Sequence, residues 1–189
     1  MDYSKFISKK SRLRKPSAIR ALQKYLSLPG MISFGGGNPN PETFPFESCL
    51  IKLKSGESID VSPIDMQKSL QYSPTAGLPE LVDWLKQLQV QMHCKDINSF
   101  EVCIGNGSQD VLTKAFEMLI DPGETILIEA PAYSGTLSFL RPLGCNFAQV
   151  ESDQDGLDPV RLESVLLEYD NASRPKVLYT VPVGTFTTN

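Results

Sequence analysis

From residue 100 onward, hydrophobic and polar positions follow two different periods in turn. Short apolar runs, FEVCIG, ETILIEAP, CNFAQV and KVLYTVP, are separated by segments whose apolar residues recur at helical spacing. The pattern predicts four strands, with helices between them over residues 108–119, 134–140 and 159–169. Because strands that alternate with amphipathic helices form βαβ units, we expect an α/β fold with a mainly parallel sheet flanked by helices.

The first hundred residues carry two further helical patterns on either side of a loop. One helix is predicted from Ser17 to about Leu28, and the Gly/Pro-rich residues 31–46 follow it. Another helix begins near Pro79, because proline is favoured in the first turn. The apolar stripe of this second helix, which makes Trp84 a predicted core residue, consists of Leu81, Trp84, Leu85 and Leu88.

The N-terminal segment differs from the rest of the chain in its charge. The chain carries a net charge of −4, yet residues 1–28 contain eight basic residues and one acid, Asp2. A basic, acid-poor start is typical of a mitochondrial transit peptide, and equally of a solvated basic arm. No basic stripe with interleaved aromatic residues continues beyond it, which argues against a nucleic-acid partner. We therefore expect a location in the mitochondrial matrix or the cytoplasm.

Two further function classes are disfavoured by the sequence. No apolar run approaches the roughly 20 residues that cross a bilayer, so we expect no membrane partner. The cysteines form no CxxC pair, and His93 is the single histidine, so we predict reduced thiols and no metal site. These cysteines are Cys49, Cys94, Cys103 and Cys145.

Candidate chemistry gathers in loops that follow the predicted strands. In α/β sheets, ligands collect at the carboxyl ends of the strands. The segment GNGSQD, residues 105–110, joins a strand to a helix and places Ser108 at the predicted N-cap, where a hydroxyl and free N–H groups suit a phosphate. The same residues would also serve a helix cap with no ligand. They match neither a Walker loop nor a complete dinucleotide-binding glycine motif.

A second loop adds an aromatic ring at the same edge. APAYSG follows the strand ETILIEA and carries Tyr133. A planar heteroaromatic ligand with a phosphate would use both the helix start and this ring. From these residues alone, a generic phosphate-ligand-binding α/β domain remains an open alternative.

Five segments together resemble one family. QYSPTAGLPEL, GNGSQD, PAYSGTL, PLGCN and VLYTVP occur in the order and at the spacings of class I pyridoxal-phosphate-dependent aminotransferases of fold type I, and are most similar to the kynurenine/2-aminoadipate branch. The resemblance implies a truncated large domain over residues 31–182, after an N-terminal arm at 1–30 and before a divergent tail at 183–189. It also implies pyridoxal 5'-phosphate as coenzyme, with an amino acid such as kynurenine or 2-aminoadipate and a 2-oxo acid as substrates.

The resemblance assigns coenzyme-binding roles to four residues. Ser108 and the backbone of Gln109 would bind the coenzyme phosphate, and Tyr133 would stack on the pyridine ring. Tyr72 would reach the phosphate of a neighbouring subunit's coenzyme and border the substrate, which implies a homodimer with shared sites.

Two further residues are implied at the substrate. Gly36, in the GGGNP loop, would line the pocket, and Arg20 matches an arginine that lies near the substrate in this branch. An arginine suits an acidic or aromatic amino acid through bidentate or stacking contacts. Arg20 fits equally well in a solvated basic arm, and it could not contact substrate if the arm were cleaved near residue 28.

The family's remaining catalytic groups have no match in the sequence. In the family, the Schiff-base lysine, the aspartate at the pyridine nitrogen and the arginine for the substrate carboxylate lie downstream of the fourth predicted strand. Lys176 mimics the Ser-x-x-Lys spacing but precedes that strand, and Val183 stands where the family has an asparagine. We therefore expect no catalytic residue in these 189 residues and no activity from them alone. The alternative is a non-catalytic product that binds the coenzyme weakly or pairs with a full-length subunit.

Overall fold

The computed structural model describes residues 2–22, 25, 28–32, 34–35 and 37–183. The chain forms two compact units: unit 1 is Met1–Arg14 with Gly105–Asn189, and unit 2 is Lys15–Ile104. The domain boundaries predicted at residues 30 and 182 remain predictions. No helix in the described part of the chain is long and apolar enough to span a bilayer.

Seven helices and six strands are described, besides short 3-10 turns. In chain order they are α1 (Lys9–Arg12), α2 (Ala18–Leu22), β1 (Cys49–Lys52), β2 (Ser58–Val61), α3 (Pro63–Leu70), α4 (Pro79–His93), α5 (Ser108–Leu119), β3 (Thr125–Ala130), α6 (Ser134–Leu140), β4 (Asn146–Asp153), β5 (Gly156–Leu157), α7 (Pro159–Leu167) and β6 (Leu178–Tyr179). The helices predicted at 108–119 and 134–140 are confirmed at both ends. The third predicted helix ends two residues early, at Leu167.

Unit 1 is built on a four-stranded sheet with the order β5-β4-β3-β6. The central strand β3 pairs in parallel with β4 along its whole length, and in parallel with the two residues of β6. Only the short β5 runs antiparallel, to β4. The predicted α/β class with a mainly parallel sheet is therefore confirmed.

The hydrophobic core lies on both faces of β3. Because successive side chains of a strand point to opposite faces, Ile126 and Ile128 pack against Phe116 of α5 and Leu140 of α6. Leu127 faces the other side, where the buried residues of β4 and the partly buried residues of α7 pack against it. The sheet is thus covered on both faces, as expected for parallel strands.

The C-terminal end of α5 is capped by the start of the chain. The last carbonyls of a helix have no intrahelical donor. Here the Ser8 N–H donates to Met118 O at 2.8 Å, and the Ser8 hydroxyl donates to Glu117 O at 2.8 Å. Lys10 and Arg14 form exposed ion pairs with the Glu117 carboxylate. Two basic residues of the N-terminal segment, Lys10 and Arg14, therefore lie against the last turns of α5.

Unit 2 contains an antiparallel β1–β2 hairpin and the helices α2, α3 and α4. None of the residues described in this unit is buried. The prediction that Trp84 is a core residue is wrong, since 60% of its surface is exposed. Helical spacing identifies an apolar face but cannot show which part of that face another element covers.

Three other predictions of secondary structure need correction or qualification. Residues 100–105 do not form a strand, because a strand needs a hydrogen-bonded neighbour and only Ile104 donates a backbone bond here, to Ala76 O at 2.8 Å. The fourth predicted strand is reduced to the two residues of β6. The helix after Ser17 is α2, and its predicted continuation to Leu28 crosses positions outside the described residues.

One buried carboxylate joins the ends of three strands. Glu129 of β3 accepts from the Ser152 hydroxyl of β4 at 2.8 Å, and from the Thr180 hydroxyl and the Val181 N–H, at 3.2 Å, just after β6. Burial raises the pKa of Glu129, but the hydrogen bonds from Thr180, Ser152 and Val181 outweigh it and hold the pKa below the usual 4.5. Glu129 is therefore ionised in the folded protein at neutral pH.

We expect Ser8→Ala to lower the free energy of unfolding by about 1–2 kcal/mol, because the Glu117 carbonyl and the Ser11 N–H each lose a hydrogen bond to the Ser8 hydroxyl. Urea denaturation measures this change. Ser4→Ala is the matched control, since the Ser4 hydroxyl bonds only the nearby Asp2 at the surface, and it should be close to neutral. Equal effects of the two substitutions would contradict the capping role of Ser8.

Glu129 also predicts a pH dependence of stability. Its pKa is depressed on folding, so its ionised form stabilises the protein above the unfolded pKa, and this contribution is lost as pH falls through the folded value. The stability difference between the unsubstituted chain and Glu129→Gln should therefore shrink as pH falls below about 4.5. Denaturant titrations at several pH values measure it, with Glu168→Gln at the surface as control. A difference that stays constant over this range would contradict the assignment.

Candidate functional site

The turn before α5 places a glycine at the helix N-cap. Gly107 is the N-cap residue, with φ 109° and ψ 166°, and Ser108 is the first helical residue. The prediction that Ser108 is the N-cap is therefore wrong by one position. A side chain is strained at this φ, because L-residues rarely adopt it, so the position favours glycine and leaves the helix end uncovered by a capping side chain.

The first turn of α5 offers several hydrogen-bond donors to solvent. The N–H groups of Ser108, Gln109 and Asp110 precede the first intrahelical bond, which runs from Val111 N–H to Gly107 O at 3.2 Å. The Ser108 side chain is exposed, and its hydroxyl has no hydrogen-bond partner among the described residues. A hydroxyl and free amides at the positive end of a helix form an arrangement that binds a small anion.

Asp110 lies in the same turn, where its charge would oppose an anion. Its carboxylate accepts from the Lys114 ammonium at 2.6 Å and from the Asn106 N–H at 3.1 Å. The hydrogen bonds from Lys114 and Asn106 hold the pKa of Asp110 below its usual value. The carboxylate thus holds the turn in place, while Lys114 offsets its charge.

Tyr133 follows β3 and forms the N-cap of α6. Its side chain is 52% exposed. The Gln109 side chain donates from Nε2 to Gly135 O at 3.4 Å, which joins the first turn of α5 to the first turn of α6. Two of the predicted site segments, one with Ser108 and Gln109 and the other with Tyr133, are therefore neighbours in unit 1.

The other predicted site residues belong to unit 2, which is described separately. Tyr72 is 66% exposed and borders a cavity of about 380 Å³ with Pro41, Ile64 and Leu78. Arg20 lies in α2, where its N–H donates to the Ser17 hydroxyl at 3.3 Å. Gly36 lies outside the described residues.

Lys176, which precedes the fourth predicted strand, lies at the end of the sheet opposite Tyr133. Its Nζ bonds Glu124 Oε1 at 2.8 Å, next to the first residue of β3. The loop with Tyr133 leaves the last residue of β3. Lys176 and Tyr133 thus lie at opposite ends of β3.

Two groups at this site were not predicted from the sequence. One is the Gln109 side chain, since only its backbone was predicted to take part. The other is Gly135, whose Cα lies against the Tyr133 ring. A signal for Gly135 was available, because a glycine inside a predicted helix lowers helix stability and commonly has a packing reason.

A phosphorylated pyridine ring fits this arrangement chemically. The open first turn of α5 can receive the phosphate, and the exposed face of Tyr133 can receive the ring. The exposed Ser108 hydroxyl, the N–H groups of the same turn and the exposed ring of Tyr133 are therefore the groups that would bind the coenzyme.

Comparison with known proteins identifies the family. A sequence model of aminotransferase class I and II matches residues 31–183. The mitochondrial kynurenine/alpha-aminoadipate aminotransferase of Bos taurus is 42% identical over 200 residues, which covers 97% of this chain and 47% of the relative. The chain thus spans about half the length of the curated relatives it matches.

Solved structures agree with this assignment. The Candida albicans aminotransferase Aro8 is 27% identical over 95% of the chain and 42% of its own, with a TM-score of 0.83. The Pyrococcus horikoshii kynurenine aminotransferase, solved with PMP and kynurenine, is 28% identical over 95% of the chain and 43% of its own, with a TM-score of 0.59. The fold of unit 1, its open helix turn with a neighbouring tyrosine and these matches agree: the chain belongs to the class I and II aminotransferases, enzymes of fold type I that use pyridoxal phosphate.

Proposed function

We propose that this chain is part of an aminotransferase that transfers the amino group of kynurenine or 2-aminoadipate to a 2-oxo acid. The substrate class rests on the 42% identity to a kynurenine/alpha-aminoadipate aminotransferase. A structural relative that carries kynurenine in its crystal supports the same class. The observation that carries the proposal is the Gln109–Gly135 hydrogen bond, because it joins the anion-binding turn to the tyrosine segment.

The phosphate end of the coenzyme would bind at the first turn of α5. The Ser108 hydroxyl and the Gln109 N–H donate hydrogen bonds, and the positive end of the helix dipole favours the dianion. Lys114 prevents Asp110 from opposing this binding, since the two side chains form an ion pair at 2.6 Å.

The ring of the coenzyme would stack on Tyr133. Pyridoxal phosphate, when bound, supplies an electron sink for charge that develops at the substrate α-carbon. Tyr133 contributes a flat apolar surface that orients the ring and excludes water from one of its faces.

The family resemblance gives proposed roles to three residues of unit 2. Tyr72 would donate to the coenzyme phosphate of a second subunit, which makes the working form a homodimer. Arg20 would pair with an acidic or aromatic substrate, and Gly36 would line its pocket. Mitochondrial names among the mammalian relatives support a mitochondrial location, and a cytoplasmic one is the alternative.

We further propose that residues 31–182 form the first part of the transferase large domain, between a basic arm and a divergent tail. Lys176 is not the lysine that captures the coenzyme, because it is engaged with Glu124 at the amino end of β3. These 189 residues would then provide the coenzyme-binding groups Ser108, Gln109 and Tyr133 without the Schiff-base lysine.

Equilibrium dialysis of the purified chain against pyridoxal phosphate tests the proposed coenzyme-binding site. We expect saturable binding that Ser108→Ala and Tyr133→Ala each weaken about tenfold, through loss of a charged hydrogen bond and of ring stacking. Ser164→Ala in α7 and Tyr3→Ala at the N-terminus are matched controls in unit 1 and should bind as the unsubstituted chain does. Absence of saturable binding would contradict the proposal.

An activity assay tests the role of the lysine. With kynurenine, 2-oxoglutarate and added pyridoxal phosphate, we expect no turnover from the purified chain, since Lys176 is held at the far end of the sheet. The full-length bovine relative serves as the positive control. Turnover by the chain that Lys176→Met abolishes would overturn the assignment of Lys176.

A further inference from the structure

The ring of Tyr133 lies over the Cα atom of Gly135. A Cβ atom added to Gly135 would overlap Cε1 of the ring, and it would lie 2.7 Å from Cζ and 2.9 Å from the hydroxyl oxygen. Favourable carbon–carbon contacts begin at about 3.5 Å. The ring therefore occupies the space that any side chain at position 135 would need.

The backbone at position 135 does not itself require glycine. Gly135 is the second residue of α6, and its φ is outside the left-handed region that favours glycine. Glycine in a helix is less stable than alanine by about 0.5–1 kcal/mol. Local helix propensity thus disfavours glycine at a position where any other side chain would force the tyrosine ring to move.

The same helical turn is fixed on two sides. The Gly135 carbonyl accepts from Gln109 Nε2 at 3.4 Å, which holds it against α5. The N–H groups of Thr136 and Leu137 donate to Tyr133 O at 3.1 and 3.4 Å. Because Thr136 is fully buried, this turn cannot shift outward easily to make room for a side chain.

We propose that Gly135 is a positioning residue that sets the orientation of the Tyr133 ring for coenzyme stacking. The inference rests on the proposed function, in which Tyr133 contacts the coenzyme ring. Gly135 contacts no ligand in this scheme and acts only through Tyr133. With a methyl group at position 135, the exposed ring turns away and loses the orientation in which it stacks.

A double-mutant cycle tests this role. Gly135→Ala, Tyr133→Ala and the double variant are compared with the unsubstituted chain by equilibrium dialysis against pyridoxal phosphate and by urea denaturation. We expect Gly135→Ala to weaken binding about as much as Tyr133→Ala, roughly tenfold, and the double variant to bind no more weakly than Tyr133→Ala. The free energy of unfolding should stay the same or rise, because alanine favours the helix. Loss of affinity without loss of stability is an effect that a merely structural glycine would not produce.

Ser138→Ala is the matched control. It places an alanine in the same helix, where the Ser138 hydroxyl bonds only the Ser134 carbonyl, and it should leave affinity unchanged. Unchanged binding by Gly135→Ala, additive losses in the double variant, or a loss of affinity that follows a loss of stability would each overturn the inference. No binding by the unsubstituted chain would instead overturn the proposed function, and the two failures are therefore distinguishable.

Discussion

The parallel pairing of β3 with its two neighbours is the constraint on which unit 1 depends. The central residues of β3 are buried on both faces, and Glu129 joins the carboxyl end of β3 to the ends of β4 and β6. A buried carboxylate is costly unless hydrogen bonds compensate it, and here each oxygen receives at least one. The loop that carries Tyr133 begins two residues later, so the candidate site follows a strand end that is hydrogen-bonded to both of its neighbours.

The parts of the fold with strong local signals could be predicted from the sequence. α5 and α6 were predicted over their observed ranges, because their apolar residues recur at helical spacing between two predicted strands. β3 was predicted because a short apolar run lies between two segments of helical spacing. The apolar run in residues 100–105 is equally clear, yet pairing is a long-range property and no strand forms there. The prediction that Trp84 is buried is wrong for the same reason, since helical periodicity identifies the apolar face of α4 but not the elements that cover it.

The residues of the candidate site could be named from the sequence, and their geometry less so. A glycine-framed turn before a helix and an aromatic residue after the next strand indicate a phosphate and a ring at one sheet edge. The N-cap was misplaced by one residue, because both Gly107 and Ser108 suit that position and only the backbone angles distinguish them. The contact between Gly135 and Tyr133 depends on how a side chain folds back on its own helix, for which a single sequence carries only the weak signal of an unfavourable glycine.

The absence of buried residues from the described part of unit 2 has a consequence for its dynamics. Local opening of a segment costs little free energy when few apolar contacts are lost. Amide protons of α3 and α4 should therefore exchange with deuterated solvent long before those of β3, whose neighbours are buried on both sides. Limited digestion would likewise be expected to cut between residues 15 and 104 before it reaches the sheet, so that unit 1 outlasts the rest of the chain.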